Sequence, residues 1–198
     1  MRRVGALIFP GFELIDLFGP MEMFGMLADG FALELVAETS GPVASAQRLR
    51  AHADRTIAES SDYDILFIPG GPGTRREVEN TQLLDWIAQT SEKSEYTLSV
   101  CTGSALLARA GVLNGRRATT NKAAFDWVAA QGPAVNWVRQ ARWVEDGKFI
   151  TSSGVSAGID MALGAIALMH GETTAENVAI WSEYSWQKDK SHDPFAKT

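Results

Sequence analysis

The chain has 198 residues, 45% of them apolar, which at roughly 150 residues per domain gives one domain spanning 1–198. Its single cysteine excludes an internal disulfide and a cysteine-based zinc knuckle. Lys plus Arg is 18 against 24 for Asp plus Glu, and this formal charge of −6, with no basic stripe to offset it, excludes a nucleic-acid or anionic-membrane partner.

No segment approaches the ~18 uncharged apolar residues that span a bilayer. Met1-Arg2-Arg3 leads into the apolar run Val4–Phe9, which is too short for a signal-peptide core and ends at Pro10-Gly11 without a cleavage-type site. It reads as the buried first strand of a reduced, cytoplasmic protein. Phe31–Ala37, Ile65–Ile68 and Tyr96–Val100 read as further strands, and the continuous apolar runs suit a parallel sheet covered on both faces. Helical patterns fall between them at Met21–Ala28, Leu83–Thr90 and Ser104–Ala110. This β-α-β rhythm predicts an α/β, doubly wound sandwich with a mostly parallel central sheet and helices on both faces.

Further along, Arg117–Thr120 reads as a short strand and Ala123–Ala130 as a helix stopped by Gly132-Pro133. Asn136–Arg139, Ala141–Val144 and Phe149–Ser152 follow as strands, the last two joined by a turn at Glu145-Asp146-Gly147. Ala157–Met169 is apolar enough for a buried helix. Thr173 with Glu176 forms a capping box ahead of Val178, Ile180 and Trp181. From about 187 to 198 the composition is that of a polar tail.

Ser99-Val100-Cys101-Thr102-Gly103-Ser104 joins an apolar strand directly to an apolar helix. A sharp turn there is a nucleophile elbow, with Cys101 above the carboxyl ends of the strands, where open α/β sheets bind ligands. A helix amino terminus under the sulfur favours the thiolate; the competing reading is an inert buried cysteine. Ile68-Pro69-Gly70-Gly71-Pro72-Gly73 follows another buried strand. It either collects backbone N–H groups for a developing negative charge or is a plain strand-to-helix turn, and it matches no phosphate-binding pattern. Asp16, set between Ile15 and Leu17, is either a carboxyl whose pKa is raised by burial or a turn acceptor ahead of Pro20. Glu13 and Glu22 read as solvated. His52, His170 and His192 do not fall at the end of an evident central strand, and Asn121 stands after the strand where a Cys-His pair would want its imidazole. The tryptophans and the run Met21 to Leu27 read as packing residues.

These segments, with Phe9-Pro10-Gly11, Asp16-Leu17-Phe18-Gly19-Pro20, Arg117-Ala118-Thr119-Thr120 and Thr151–Asp160, resemble the ThiJ/PfpI superfamily of the class I glutamine-amidotransferase-like fold. The resemblance runs through nearly the whole chain. It implies a flavodoxin-like sandwich, a homodimer, a small-molecule substrate and no metal or organic cofactor. Within the superfamily, Asp16 and the S-V-C-T-G elbow are most similar to isonitrile hydratases; the same pattern occurs in the amidotransferase-like half of certain AraC-type regulators. The resemblance assigns Cys101 as nucleophile and Asp16 as the carboxyl sharing its proton. It also assigns the backbone N–H groups of Gly71 and Thr102 as an anion-stabilising pair, the Thr102 hydroxyl as a polar contact and the Val155 N–H as a neighbour of the sulfur. The implied reaction is hydration of an isonitrile to an N-substituted formamide. Two other readings stay open: a glyoxalase or deglycase acting on 2-oxoaldehydes, and a non-enzymatic redox or ligand sensor built on Cys101. A DNA-binding regulator is not expected, because no helix-turn-helix segment follows the last predicted helix.

Overall fold

In the computed structural model, which describes residues 1–196, the chain opens with β1 (Arg2–Leu7), α1 (Leu14–Gly25) and β2 (Phe31–Ala37). Three short strands follow, β3 (Pro42–Ala44), β4 (Arg50–His52) and β5 (Arg55–Thr56), and then β6 (Ile65–Ile68), α2 (Thr74–Glu77) and α3 (Thr81–Lys93). The middle of the chain holds β7 (Tyr96–Val100), α4 (Gly103–Arg109), β8 (Arg117–Ala118) and α5 (Phe125–Gln131). It closes with β9 (Asn136–Trp137), β10 (Trp143–Asp146), β11 (Phe149–Ser152), α6 (Ala157–His170) and α7 (Glu172–Trp181).

Seven strands form the central sheet in the order β10-β11-β7-β6-β1-β2-β5, parallel throughout except that β10 runs antiparallel to β11. The chain leaves β1 toward β2 on one side and later returns to add β6, β7 and β11 on the other. Right-handed crossovers in opposite directions place their helices on opposite faces. Accordingly α1 and α7 both pack on α6, while α4 packs with α2, α3 and α5. Both faces of the inner strands are therefore covered, which is why all four residues of β6 are buried apolar side chains. The order reverses between β1 and β6, and the carboxyl ends of these strands open the crevice in which this kind of sheet binds ligands.

Several expected boundaries move. The first strand is Arg2–Leu7, not Val4–Phe9, because Arg2 and Arg3 satisfy their charges at the sheet end on Glu95 and Glu34 while their backbones pair with β2. The first helix starts at Leu14, not Met21. Pro20 was expected to precede a helix, yet it lies inside one, where it only removes the N–H that would reach the Asp16 carbonyl. Leu17, Met21 and Phe24 supply a buried stripe that outweighs this loss. The capping box at Thr173 and Glu176 does not form: α7 begins at Glu172 after Gly171, so both residues lie within the helix. The strand expected at Arg117–Thr120 shortens to Arg117–Ala118 and pairs with β9 outside the main sheet. The β3–β4 hairpin had no counterpart among the expected elements.

Residues 182–196 form no helix or strand, but they are tied to the body. Asp160, fully buried on α6, accepts from the Arg142 guanidinium, the Tyr184 hydroxyl at 3.1 Å and the Gln187 N–H at 2.9 Å. Asp193 is also fully buried, and its N–H donates to the Gln140 carbonyl at 2.8 Å. No helix among the described residues is long and apolar enough to cross a membrane.

Candidate active site

The strand-to-helix turn expected at Cys101 is present, and its backbone is strained. Cys101 sits at φ 57°, a left-handed conformation that side-chain-bearing residues rarely adopt. The turn persists because its surroundings hold it from several directions. The Cys101 N–H reaches the carbonyls of Ser152 and Ser153, and its carbonyl accepts from the Thr120 and Ser104 hydroxyls. A side chain at position 103 would strike the backbone carbonyls of Ile68 and Pro69, so the glycine is what lets α4 start against β6.

Asp16 lies in the first turn of α1 and is completely buried. Its Oδ2 accepts from the Gly70 N–H at 3.0 Å, whereas Oδ1 has no nitrogen or oxygen partner among the described residues. The Cys101 side chain lies beside this carboxyl, and each group shifts the other's proton affinity. Gly70 is wedged between the two: a Cβ there would stand 2.7 Å from Asp16 Oδ2 and 2.8 Å from Cys101 Cβ. Burial, reinforced by the charge of Glu13, pushes the Asp16 carboxyl up to about 7.

The thiolate expected from the helix amino terminus is corrected by the same burial. Desolvation first, and then the facing Asp16 carboxyl, push the Cys101 thiol well above the ordinary thiol range; the Thr102 N–H and the Asn121 amide pull the other way without overcoming them. Near neutral pH the sulfur therefore keeps its proton, opposite a carboxyl balanced between its ionised and protonated forms.

The Gly70-Gly71 turn is locked to the elbow. The Gly71 N–H donates to Thr102 Oγ1 at 3.0 Å, and the Thr74 hydroxyl meets the same oxygen at 3.1 Å. The Thr102 hydroxyl is thus occupied in joining two loops, and the Thr102 N–H is the group directed at the sulfur. Gly71 itself is at φ 126°, and a side chain there would collide with the Gly11 carbonyl. Val155 borders the same cavity as Cys101 and is partly exposed.

That cavity, of about 300 Å³, opens between Glu13, Pro72, Arg75, Asn121, Ala124 and Val155. A Cβ on Gly154 would collide with Asn121 Nδ2 and stand 2.9 Å from Cys101 Sγ, so amide and sulfur face one another across a glycine. Asn121 Oδ1 accepts from the Ala124 N–H at 3.0 Å, which turns Nδ2 toward the sulfur. An uncharged donor thus stands where the sequence lacked a histidine, and all three histidines lie outside the cavity lining. Lys122, next in sequence, donates to Thr119 Oγ1 at 2.9 Å and to the Ala141 carbonyl, bracing this turn. Glu13, expected to be solvated, instead borders the cavity with its carboxylate bonded by the Gln47 amide. Arg75 carried no signal in the sequence, because only the fold brings α2 over Cys101. Among the described residues no group of His, Cys, Asp and Glu side chains could hold a metal ion.

An isonitrile hydratase from Pseudomonas putida is 35% identical over 183 residues, covering 92% of this chain and 78% of that protein. The HTH-type transcriptional regulator CdhR of Pseudomonas aeruginosa is 30% identical over 177 residues, and the match takes in 87% of this chain but only 52% of the regulator. The crystal structure of a ThiJ/PfpI family protein from Pseudomonas syringae superposes with a TM-score of 0.86 at 35% identity, covering 93% of this chain and 75% of that one. The model of the DJ-1/PfpI family matches residues 2–168, and the chain belongs to that family.

Proposed function

We propose that this protein hydrates an isonitrile to the N-substituted formamide, with Cys101 as nucleophile and Asp16 as proton carrier. The observation that carries this reading is the buried Asp16–Cys101 pair, in which a carboxyl balanced near neutrality faces a strained cysteine. General acid–base catalysis works best when the group's pKa lies near the working pH. As the sulfur bonds to the terminal isonitrile carbon, Asp16 takes the thiol proton and delivers it to that carbon, giving a thioimidate. Water then adds across the carbon–nitrogen double bond, its proton passing through Asp16 to nitrogen. In the tetrahedral species the hydroxyl gives its proton to Asp16, the carbon–sulfur bond breaks, and the departing sulfur recovers that proton. The sum is one water added and no electrons exchanged.

The Thr102 N–H and the Asn121 amide face the sulfur, where charge accumulates as the bond to carbon breaks, and they need no reorganisation at that moment. The 35% identity to the Pseudomonas putida isonitrile hydratase supports the same reading. A homodimer accompanies it, consistent with Ile15 and Phe18 standing 49% and 44% exposed on α1. The test is to incubate the protein with an aryl isonitrile and, separately, with methylglyoxal, following formamide and lactate. Formamide formed by the wild type and not by Cys101→Ala is the expected result. Formamide at an undiminished rate from Cys101→Ala removes the covalent mechanism, and lactate without formamide moves the chain to 2-oxoaldehyde chemistry.

A further inference from the structure

We infer that the substrate carries a carboxylate and that the Arg75 guanidinium recognises it, an inference that rests on the hydratase reading and names its substrate class. Arg75 and Cys101 border the same cavity of about 300 Å³, so a small molecule bonded to the sulfur lies within reach of both walls. The guanidinium is held in place: its Cζ lies 4.7 Å from the centroid of the Trp127 ring, which anchors an α2 side chain on α5. Among the described residues no hydrogen bond takes up its N–H groups, so the planar fork of donors is open to a planar acceptor.

No such acceptor is supplied among the described residues. Among the described residues Arg75 makes no salt bridge, whereas its neighbour Arg76 is engaged by Glu77 and the Pro10 carbonyl. Pro72, Ala124 and Val155 are apolar, and the Glu13 carboxylate is already bonded by Gln47. One positive charge and one carboxylate in the same lining suit a monoanion; a phosphate dianion would want a second cation and would meet Glu13. The ligand this geometry fits is therefore an isonitrile at one end and a carboxylate at the other, joined by a short apolar chain.

Hydration of a series of ω-isocyanoalkanoates of increasing length, each beside its methyl ester, tests the inference on the full chain. At the best length the acid should exceed its ester in kcat/KM by about tenfold, the lower range for a charged hydrogen bond because Arg75 is exposed. The preference should shrink as ionic strength rises and approach unity in Arg75→Gln, mainly through KM for the acid. Esters hydrated as well as acids at every length, or an unchanged ratio in Arg75→Gln, would overturn it. Equilibrium binding of the same acids and esters to Cys101→Ala separates the two readings. Acid preference in binding, lost with Arg75→Gln, supports anion recognition even if the wild type fails to hydrate, and that failure then counts against the hydratase alone. Hydration with no acid preference removes the inference and leaves the hydratase standing.

Discussion

Replacing Asp16 by Asn isolates the free energy stored in the buried carboxyl. The side chain keeps its shape and an oxygen for the Gly70 N–H, but it no longer ionises. A carboxyl whose pKa moves from 3.8 to about 7 on folding makes the ionised folded state unfavourable by about 4 kcal/mol. The sign follows from proton binding. Below about pH 4 the group is protonated in both states and the penalty is absent. As pH rises the unfolded chain ionises first, so the folded state loses ground until the pH passes the folded value near 7. Between about pH 5 and about pH 8 the wild type should therefore lose about 3 kcal/mol relative to Asp16→Asn. Urea denaturation of both proteins at the two pH values, followed by tryptophan fluorescence, measures this difference directly. A stability gap independent of pH, or a wild type that gains on the variant toward high pH, would falsify the assignment of a raised Asp16 pKa. The same variant should lose about a hundredfold or more in isonitrile hydration, the contribution expected of a general acid–base group.

Three further outcomes follow from the packing. Gly154→Ala should cut turnover more than tenfold with a stability change under about 2 kcal/mol, because its Cβ displaces Asn121 and the sulfur rather than the core; normal kinetics in a folded variant would show that the amide does not need to face the cysteine. Gly71→Ala should cost about 2–4 kcal/mol in a urea or thermal melt, since a left-handed backbone and the Gly11 carbonyl both oppose a Cβ. Arg142→Met should cost about 3–5 kcal/mol by leaving Asp160 buried without its cation, and should open the segment around Tyr184–Gln187 to protease. Wild-type stability and cleavage rate in that variant would mean that Asp160 does not anchor the segment.

Much of the architecture was legible locally. The continuous apolar run at Ile65–Ile68 suited an inner strand, Tyr96–Val100 read as another, and a strand passing directly into a helix at Cys101 suited an elbow with a glycine two residues on. Asp16 declared itself by charge among apolar neighbours. The helix around it did not, since Pro20 reads as a breaker, and only packing against α6 shows that its missing N–H is tolerated. Nor did the capping box survive, because Gly171 already supplied a start for α7.

The chain's own order of residues thus settled the sheet's inner strands, the elbow and the lone candidate nucleophile, because these depend on side-chain type and spacing over a few residues. Tertiary structure decided what that cysteine meets. Asp16 arrives from α1, Gly70 from the end of β6, Asn121 from the turn after β8 and Arg75 from α2. Their approach depends on sheet order and crossover hand, and the protonation of Cys101 depends in turn on how completely they exclude water. A local reading of the helix amino terminus points to a thiolate; the desolvation that reverses it is a property of the assembled crevice.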